Sequence, residues 1–327
     1  MINIATVGTS GICEKFIKGM LMTGRFRLAA VYSRNAETGR AFAQKFSCEN
    51  VFTDIEKLAV WDGIDAVYIA SPNSCHFSQS KIFLENNKHV ICEKPIVTSS
   101  CEYISLKSIA DKNKLIYMEA IIPRHVKKYQ EVKKALESIG RIQTARIDFC
   151  QRSSRLDAFL RGEHINIFDM SLCAGTLMDI GVYCVYAAVD FFGIPSKIKA
   201  SASYLGNGAD GGGAAIFEYA GFSAVLSYSK TCGGELGSEI LGENGTVKIK
   251  AISQYAGVSL LKDGKEELIA GYPGKEELMS YEADKFADYI ENCKSFENDY
   301  KSASELCLSV HQCMDEIKKQ AEIDYSL

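Results

Sequence analysis

The sequence predicts two architectures in series: an α/β domain with a doubly wound parallel sheet, then an α+β domain on a largely antiparallel, open-faced sheet. Three observations carry this expectation. The chain has 327 residues, more than one hydrophobic core usually serves. Its first third alternates short apolar runs with helix-length segments, the pattern of parallel strands joined by crossovers. Beyond about residue 122 the rhythm changes to longer alternating runs joined by Gly-rich or Asn-Gly turns, which read as hairpins.

The strand-like runs of the first part are 2–7, 27–33, 64–70, 89–92 and 115–120, with helices expected near 11–23, 36–46, 74–87 and 98–112. In the second part, helices are expected at 126–138 and 175–192. Strands are expected at 141–150, 196–205, 212–220, 223–232, 238–242 and 246–252, and two closing helices near 276–293 and 302–321. The division expected is 1–121 and 122–327, with helix 302–321 able to pack back on the first domain. One face of the second sheet lies under helices. The other is expected to be a surface between copies of the chain, with Ala202, Tyr204, Phe217 and Tyr219 as its candidates.

An apolar fraction of 47% and a charged fraction of 24% are those of an ordinary soluble protein. The net charge of −4, without a long run of Lys or Arg, gives no footprint for nucleic acid or an anionic membrane. No apolar stretch is expected to reach the ~18 residues of a membrane span. The N-terminus reads as a strand rather than a secretory signal, so a cytoplasmic location is expected. Twelve cysteines lie scattered with no Cys-x2-Cys pair. Most fall in apolar patterns, where a thiol acts as a small hydrophobe, so neither a disulfide framework nor a metal site is expected.

Ligands on a doubly wound sheet sit at the carboxyl ends of its strands. That rim gathers Gly8–Cys13, Ser33–Arg34, Ser71–His76 and Glu93–Pro95. In GTSGIC, Gly8 makes the turn, while Ser10 and Cys13 take the other two small positions of a dinucleotide loop. Gly8, Thr9, Ser10, Gly11 and Ile12 are therefore candidates for holding a pyrophosphate at a helix N-terminus. A plain strand-to-helix turn is the alternative, and the place of the loop after the first strand favours the phosphate. The second strand ends in Ser33-Arg34. NAD enzymes usually carry an acidic residue there, whereas Arg beside a hydroxyl suits a 2′-phosphate, so NADP is favoured and NAD possible.

The set VGTSGI, AVYSR, SPNSCH, ICEKP, YMEA and GTLMDIGVY, in that order, resembles the Gfo/Idh/MocA family of NAD(P)-dependent oxidoreductases. Within it the chain looks most like the branch of dimeric dihydrodiol dehydrogenases and NADP-dependent xylose dehydrogenases. SEILGENGTVKI and YEADKF match later segments, so the resemblance spans nearly the whole chain. It departs from the pattern at Ser10 and Cys13, and again at Cys173-Ala174-Gly175, where relatives usually carry a glycine pair.

The resemblance implies that Lys94 lies near both nicotinamide and substrate, where an ammonium stabilises alkoxide character. Asp179 and Tyr183, four apart on one helix face, are the implied partners. Tyr183 is the candidate acid/base and Asp179 positions the substrate hydroxyl or shares its proton. Ser71, Pro72, Asn73, His76 and Glu93 are implied along the cofactor, and Arg124 and Arg155 as further substrate contacts. The implied activity is hydride transfer between nicotinamide and a hydroxyl-bearing carbon of a sugar, polyol or cyclic diol. A homodimer or homotetramer through the C-terminal sheet is implied as well. Two other readings keep the fold: a nucleotide-binding sensor without turnover, and a glycosidase or transferase that oxidises its substrate transiently.

Overall fold

In the computed structural model, which describes residues 1–325, the chain divides into two compact units. The first comprises Met1–His125 and Gly274–Ser304; the second comprises Val126–Pro273 and the residues from Glu305 onward.

The first unit holds strands β1 (Ile2–Val7), β2 (Phe26–Tyr32), β3 (Asn50–Phe52), β4 (Ala66–Ile69), β5 (His89–Glu93) and β6 (Tyr117–Ala120). They form one sheet in the order β3-β2-β1-β4-β5-β6, every pairing parallel. Its helices are α1 (Gly11–Met22), α2 (Ala36–Gln44), α3 (Ile55–Ala59), α4 (Asn73–Glu85), α5 (Ser100–Lys112) and the single turn α6 (Ile122–His125). Strand order reverses between β1 and β4, the switch point at which such sheets bind ligands.

Helix α1 forms because Cys13, Phe16, Ile17 and Met20 make one buried stripe. Fully burying residues such as Phe16, Ile17 and Met20 contributes roughly 1.5–3 kcal/mol each, which outweighs any local preference of the segment. Helix α10, numbered in chain order (Lys275–Glu291), packs against α1 within this unit. At the crossing, a Cβ on Gly19 would lie 2.6 Å from Glu276 O, so only glycine permits the approach. The guanidinium of Arg25 fastens α10 through Asp284 at 2.8 Å, Asp288 at 2.7 Å and Glu291 at 2.6 Å.

The second unit begins with α7 (Tyr129–Ser138) and β7 (Ile142–Cys150), followed by α8 (Leu156–Leu160). A π-helical turn, Leu177–Gly181, leads into α9 (Val182–Phe192). Seven strands follow: β8 (Lys197–Tyr204), β9 (Asp210–Tyr219), β10 (Phe222–Ser229), β11 (Ser238–Gly242), β12 (Gly245–Ala251), β13 (Ala256–Lys262) and β14 (Lys265–Ala270). They form one sheet, β14-β13-β12-β11-β7-β10-β9-β8, antiparallel except for β7 with β10. The last helix, α11 (Cys293–Gln320), starts in the first unit and ends in the second. There Gln320 bonds to Ala200 N at 3.0 Å and Ile198 O at 2.8 Å along β8.

Two expectations change here. The segment Met170–Phe192 is long and apolar enough to cross a membrane, with a mean hydropathy of 1.6, although no such stretch was expected. Its most apolar 18 residues are 78% buried inside the protein, and the helix that begins at Leu177 belongs to the core of its unit. The residues expected on the free sheet face lie on the covered one. Phe217 pairs with Ile198 and Ala224 and is fully buried, and Tyr219 donates to Gly193 O just past α9 at 3.2 Å. Tyr204 bonds to Ala321 O at the end of α11, and Ala202, two residues before it on the strand, shares its face. The open face instead carries Ala214, Ile216, Val225 and Leu241, with Lys199, Arg146 and Glu239 in the same cross-strand rows.

Candidate active site

The loop after β1 is shaped for close approach. Gly8 has φ +120°, and a Cβ there would lie 2.8 Å from Ala70 O at the end of β4. Cys13 fills the third small position by burying its sulfur against the same Gly8. Ser10 is the N-cap of α1, yet its side chain does not cap the helix and stands exposed, with Thr9, Gly11 and Ile12 beside it at the surface. A helix start without a side-chain cap, reached through a cradle that a side chain would fill, fits a pyrophosphate.

At the neighbouring rim, Ser33 follows β2 and its hydroxyl accepts from Asn35 N at 3.3 Å, just before α2. Arg34 is exposed. Ser71 and Pro72 follow β4, and Asn73 opens α4. The Ser71 hydroxyl is turned to Gln79 at 2.6 Å.

The Glu93-Lys94-Pro95 segment is held from three sides. His76, 1% exposed, places Nδ1 2.8 Å from Pro95 O and Nε2 2.9 Å from Ser71 O. Both ring nitrogens thus face backbone carbonyls within the protein; burial lowers the imidazole pKa, and the two carbonyls oppose that shift. Glu119 of β6 accepts from Ile96 N at 2.8 Å. Glu93 Oε1 accepts from the Tyr68 hydroxyl at 2.5 Å, and the Tyr68 ring stacks on Phe16 at 3.8 Å. Burial pushes the Glu93 carboxyl up, while Tyr68, Lys94 and Lys275 hold it back. Lys275 and the fully buried Glu282, both on α10, extend this charged group. The backbone after Lys94 is therefore held by side chains of α4 and β6, and the Glu93 side chain before it by Tyr68 of β4.

Arg124, on α6, points its guanidinium at Asp299 at 2.7 Å with its side chain 11% exposed. That ion pair lies within the first unit.

In the second unit, Asp179 sits inside the π-helical turn and Tyr183 in the first turn of α9. The four-residue spacing thus crosses from one helix type to the other, and π-turns recur at functional sites. The Tyr183 ring meets Phe149 of β7 at 5.8 Å. Asp179 Oδ2 is bonded to the ammonium of Lys230, whose side chain is 8% exposed. The preceding Cys173-Ala174-Gly175 is a sharp bend, with Cys173 at φ 52° and Gly175 at φ 150°. Arg155, the N-cap of α8, is exposed, whereas its neighbour Arg152 pairs with Asp157 at 2.5 Å. Sequence reasoning did not assign Tyr68, Glu119 or Lys230. YMEA marked Glu119 as part of a pattern but not as the brace of the Lys94 loop.

A six-stranded parallel sheet with a glycine cradle at its switch point has the form of a dinucleotide-binding domain. Residues 2–121 match the oxidoreductase family with an NAD-binding Rossmann fold, and residues 129–248 match the GFO/IDH/MocA C-terminal domain. The chain belongs to the Gfo/Idh/MocA family of NAD(P)-dependent oxidoreductases.

Among relatives, scyllo-inositol 2-dehydrogenase (NADP(+)) of Bacillus subtilis is 40% identical, over 99% of this chain and 98% of that protein. An uncharacterized oxidoreductase of Escherichia coli is 38% identical over 89% of each. Trans-1,2-dihydrobenzene-1,2-diol dehydrogenase of Danio rerio is 29% identical over 73% of this chain and 71% of that one. Identity is thus higher to the inositol enzyme than to the dihydrodiol branch that the motifs suggested. A 3-ketoreductase from Actinomadura kijaniata, solved with NADP and TDP-benzene, shares the fold at a TM-score of 0.84 and 20% identity, covering 98% of this chain and 97% of that one.

Proposed function

We propose that this chain is an NADP-preferring dehydrogenase acting on a ring hydroxyl of a cyclic polyol, with sugars and diols as the wider substrate class. The near full-length likeness to a protein named as an NADP-dependent scyllo-inositol 2-dehydrogenase carries this reading.

Bound nicotinamide supplies the hydride acceptor or donor. In the oxidation, Tyr183 takes the hydroxyl proton as hydride leaves the same carbon. Lys94 stabilises the negative charge that develops on the oxygen, and Asp179 orients the hydroxyl. In the reverse reduction the same groups return the proton. Gly8–Ile12 would hold the pyrophosphate, Ser33 and Arg34 the 2′-phosphate, and Ser71–Asn73 with Glu93 the ribose side. His76 shapes this site through the Pro95 and Ser71 carbonyls. Arg124 and Arg155 are the arginines proposed to contact substrate. The working protein is a homodimer or homotetramer joined through the open sheet face, in the cytoplasm.

Initial rates over inositols, aldoses and diols with each nicotinamide test this reading. Turnover of none of them, with tight NADPH binding, would favour a sensor. For the cofactor, Arg34→Ala should weaken NADPH by at least ~10-fold, the scale of one charge-assisted bond, and leave NADH nearly unchanged. Equal losses for both would remove Arg34 from 2′-phosphate recognition.

A further inference from the structure

We propose that Lys230 is a positioning residue of the active site: it fixes the charge and direction of the Asp179 carboxylate, and through it proton transfer at Tyr183. The inference rests on the reading of Asp179 and Tyr183 given above.

Lys230 immediately follows β10 and is 6% exposed, which is rare for an ammonium unless it is paired. Its partner is Asp179 Oδ2. The burial is lopsided, with the lysine side chain 8% exposed and the aspartate 34%. The cation is therefore the interior member, and the carboxylate is the member that reaches outward. A surface ion pair would show both groups in water, and its loss would matter little. Taking the ammonium away from this pair leaves a half-buried carboxylate without its counter-charge.

The backbone of Lys230 is also clamped. Its N–H donates to Gly211 O at 3.0 Å, and its carbonyl accepts from Ser153 N at 2.8 Å. Ser153 in turn accepts Arg155 N on its hydroxyl at 3.1 Å. One residue before Gly211, Asp210 accepts Leu177 N at 2.7 Å at the head of the Asp179 helix, and its carbonyl accepts the Thr176 hydroxyl at 2.8 Å. One lysine thus ties together the start of β9, the loop bearing Arg155 and the helix bearing Asp179 and Tyr183. Its ammonium acts on the reaction through Asp179.

The test uses full-length Lys230→Met, Lys230→Arg, Asp179→Ala and the double variant Asp179→Ala/Lys230→Met, with NADP and the best polyol of the substrate panel. Lys230→Met should lower kcat by ~100-fold with KM and NADPH affinity within ~3-fold, and Lys230→Arg should recover most of the loss. The acid limb of kcat/KM should move up by about one pH unit in Lys230→Met, because a carboxylate without its neighbouring cation takes up a proton more readily. In the Asp179→Ala background, removing Lys230 should cost less than ~3-fold more, the signature of two residues acting as one. Where Lys230→Met does not fold, the comparison of the double variant with Asp179→Ala decides, since it removes both charges.

Multiplicative losses in the double variant would overturn the proposal by showing that Lys230 acts without Asp179. So would a folded Lys230→Met with wild-type kcat and pH profile while Asp179→Ala is impaired. An unimpaired Asp179→Ala would sink the role of Asp179 itself, and this inference with it.

Discussion

Asp210 shows how one buried carboxylate can set the pH range of a unit. It is fully buried, one oxygen accepts Leu177 N at 2.7 Å, and burial pushes its pKa from 3.8 to about 7. The native state therefore keeps a proton that the unfolded chain gives up, so its contribution is complete below pH ~4 and is lost as pH rises through ~7. Asparagine keeps an acceptor for Leu177 and cannot ionise. The melting temperature of Asp210→Asn, relative to wild type, should rise between pH ~5 and ~8; a constant difference across that range would show that Asp210 ionises freely. Such residues were not legible in the sequence. Lys94 was a candidate because Glu-Lys-Pro stands in an ordered set of motifs that resembles a family. Tyr68 meets Glu93 across 25 residues, Glu119 meets Ile96 across 23, and Lys230 meets Asp179 across 51. The first two follow from strand pairing and the third from a strand end meeting a helix, and no single segment encodes either.

At the scale of elements, periodicity placed the long buried strands and their crossover helices close to where they lie. It missed β13, although Ala256 and Val258 are fully buried, and it failed where burial is slight. Strand β3 is three residues long and only partly buried, and β14 is mostly exposed and rich in charge, so neither shows an apolar run. The face of the second sheet was misread for another reason. Alternation tells which residues share a face, but not which face the helices cover. The pairing of Phe217 with buried Ile198 and Ala224 decides that, and leaves Ile216 and Val225, 40% and 41% exposed and directly paired, on the open face. Val225→Asp, alone or with Ile216→Lys, should therefore shift the protein to a smaller assembly in sedimentation velocity with its circular dichroism spectrum unchanged. An unaltered sedimentation coefficient would place the contact between copies elsewhere.

For the whole molecule, the sequence read correctly as a parallel α/β sheet followed by a largely antiparallel one. The return of α10 to the first unit is a matter of packing. It follows from the Gly19 contact and the Arg25 carboxylate cluster, and it brings Lys275 and Glu282 to Glu93. The cradle and the braced lysine lie in the first unit, the Asp–Tyr helix in the second. The most direct measurement is single-turnover hydride transfer by Lys94→Ala, beside its NADPH affinity. The rate should fall by at least ~100-fold, as for loss of a charge contact made in the transition state, with NADPH still bound. A variant that transfers hydride as fast as wild type would contradict the proposed chemistry.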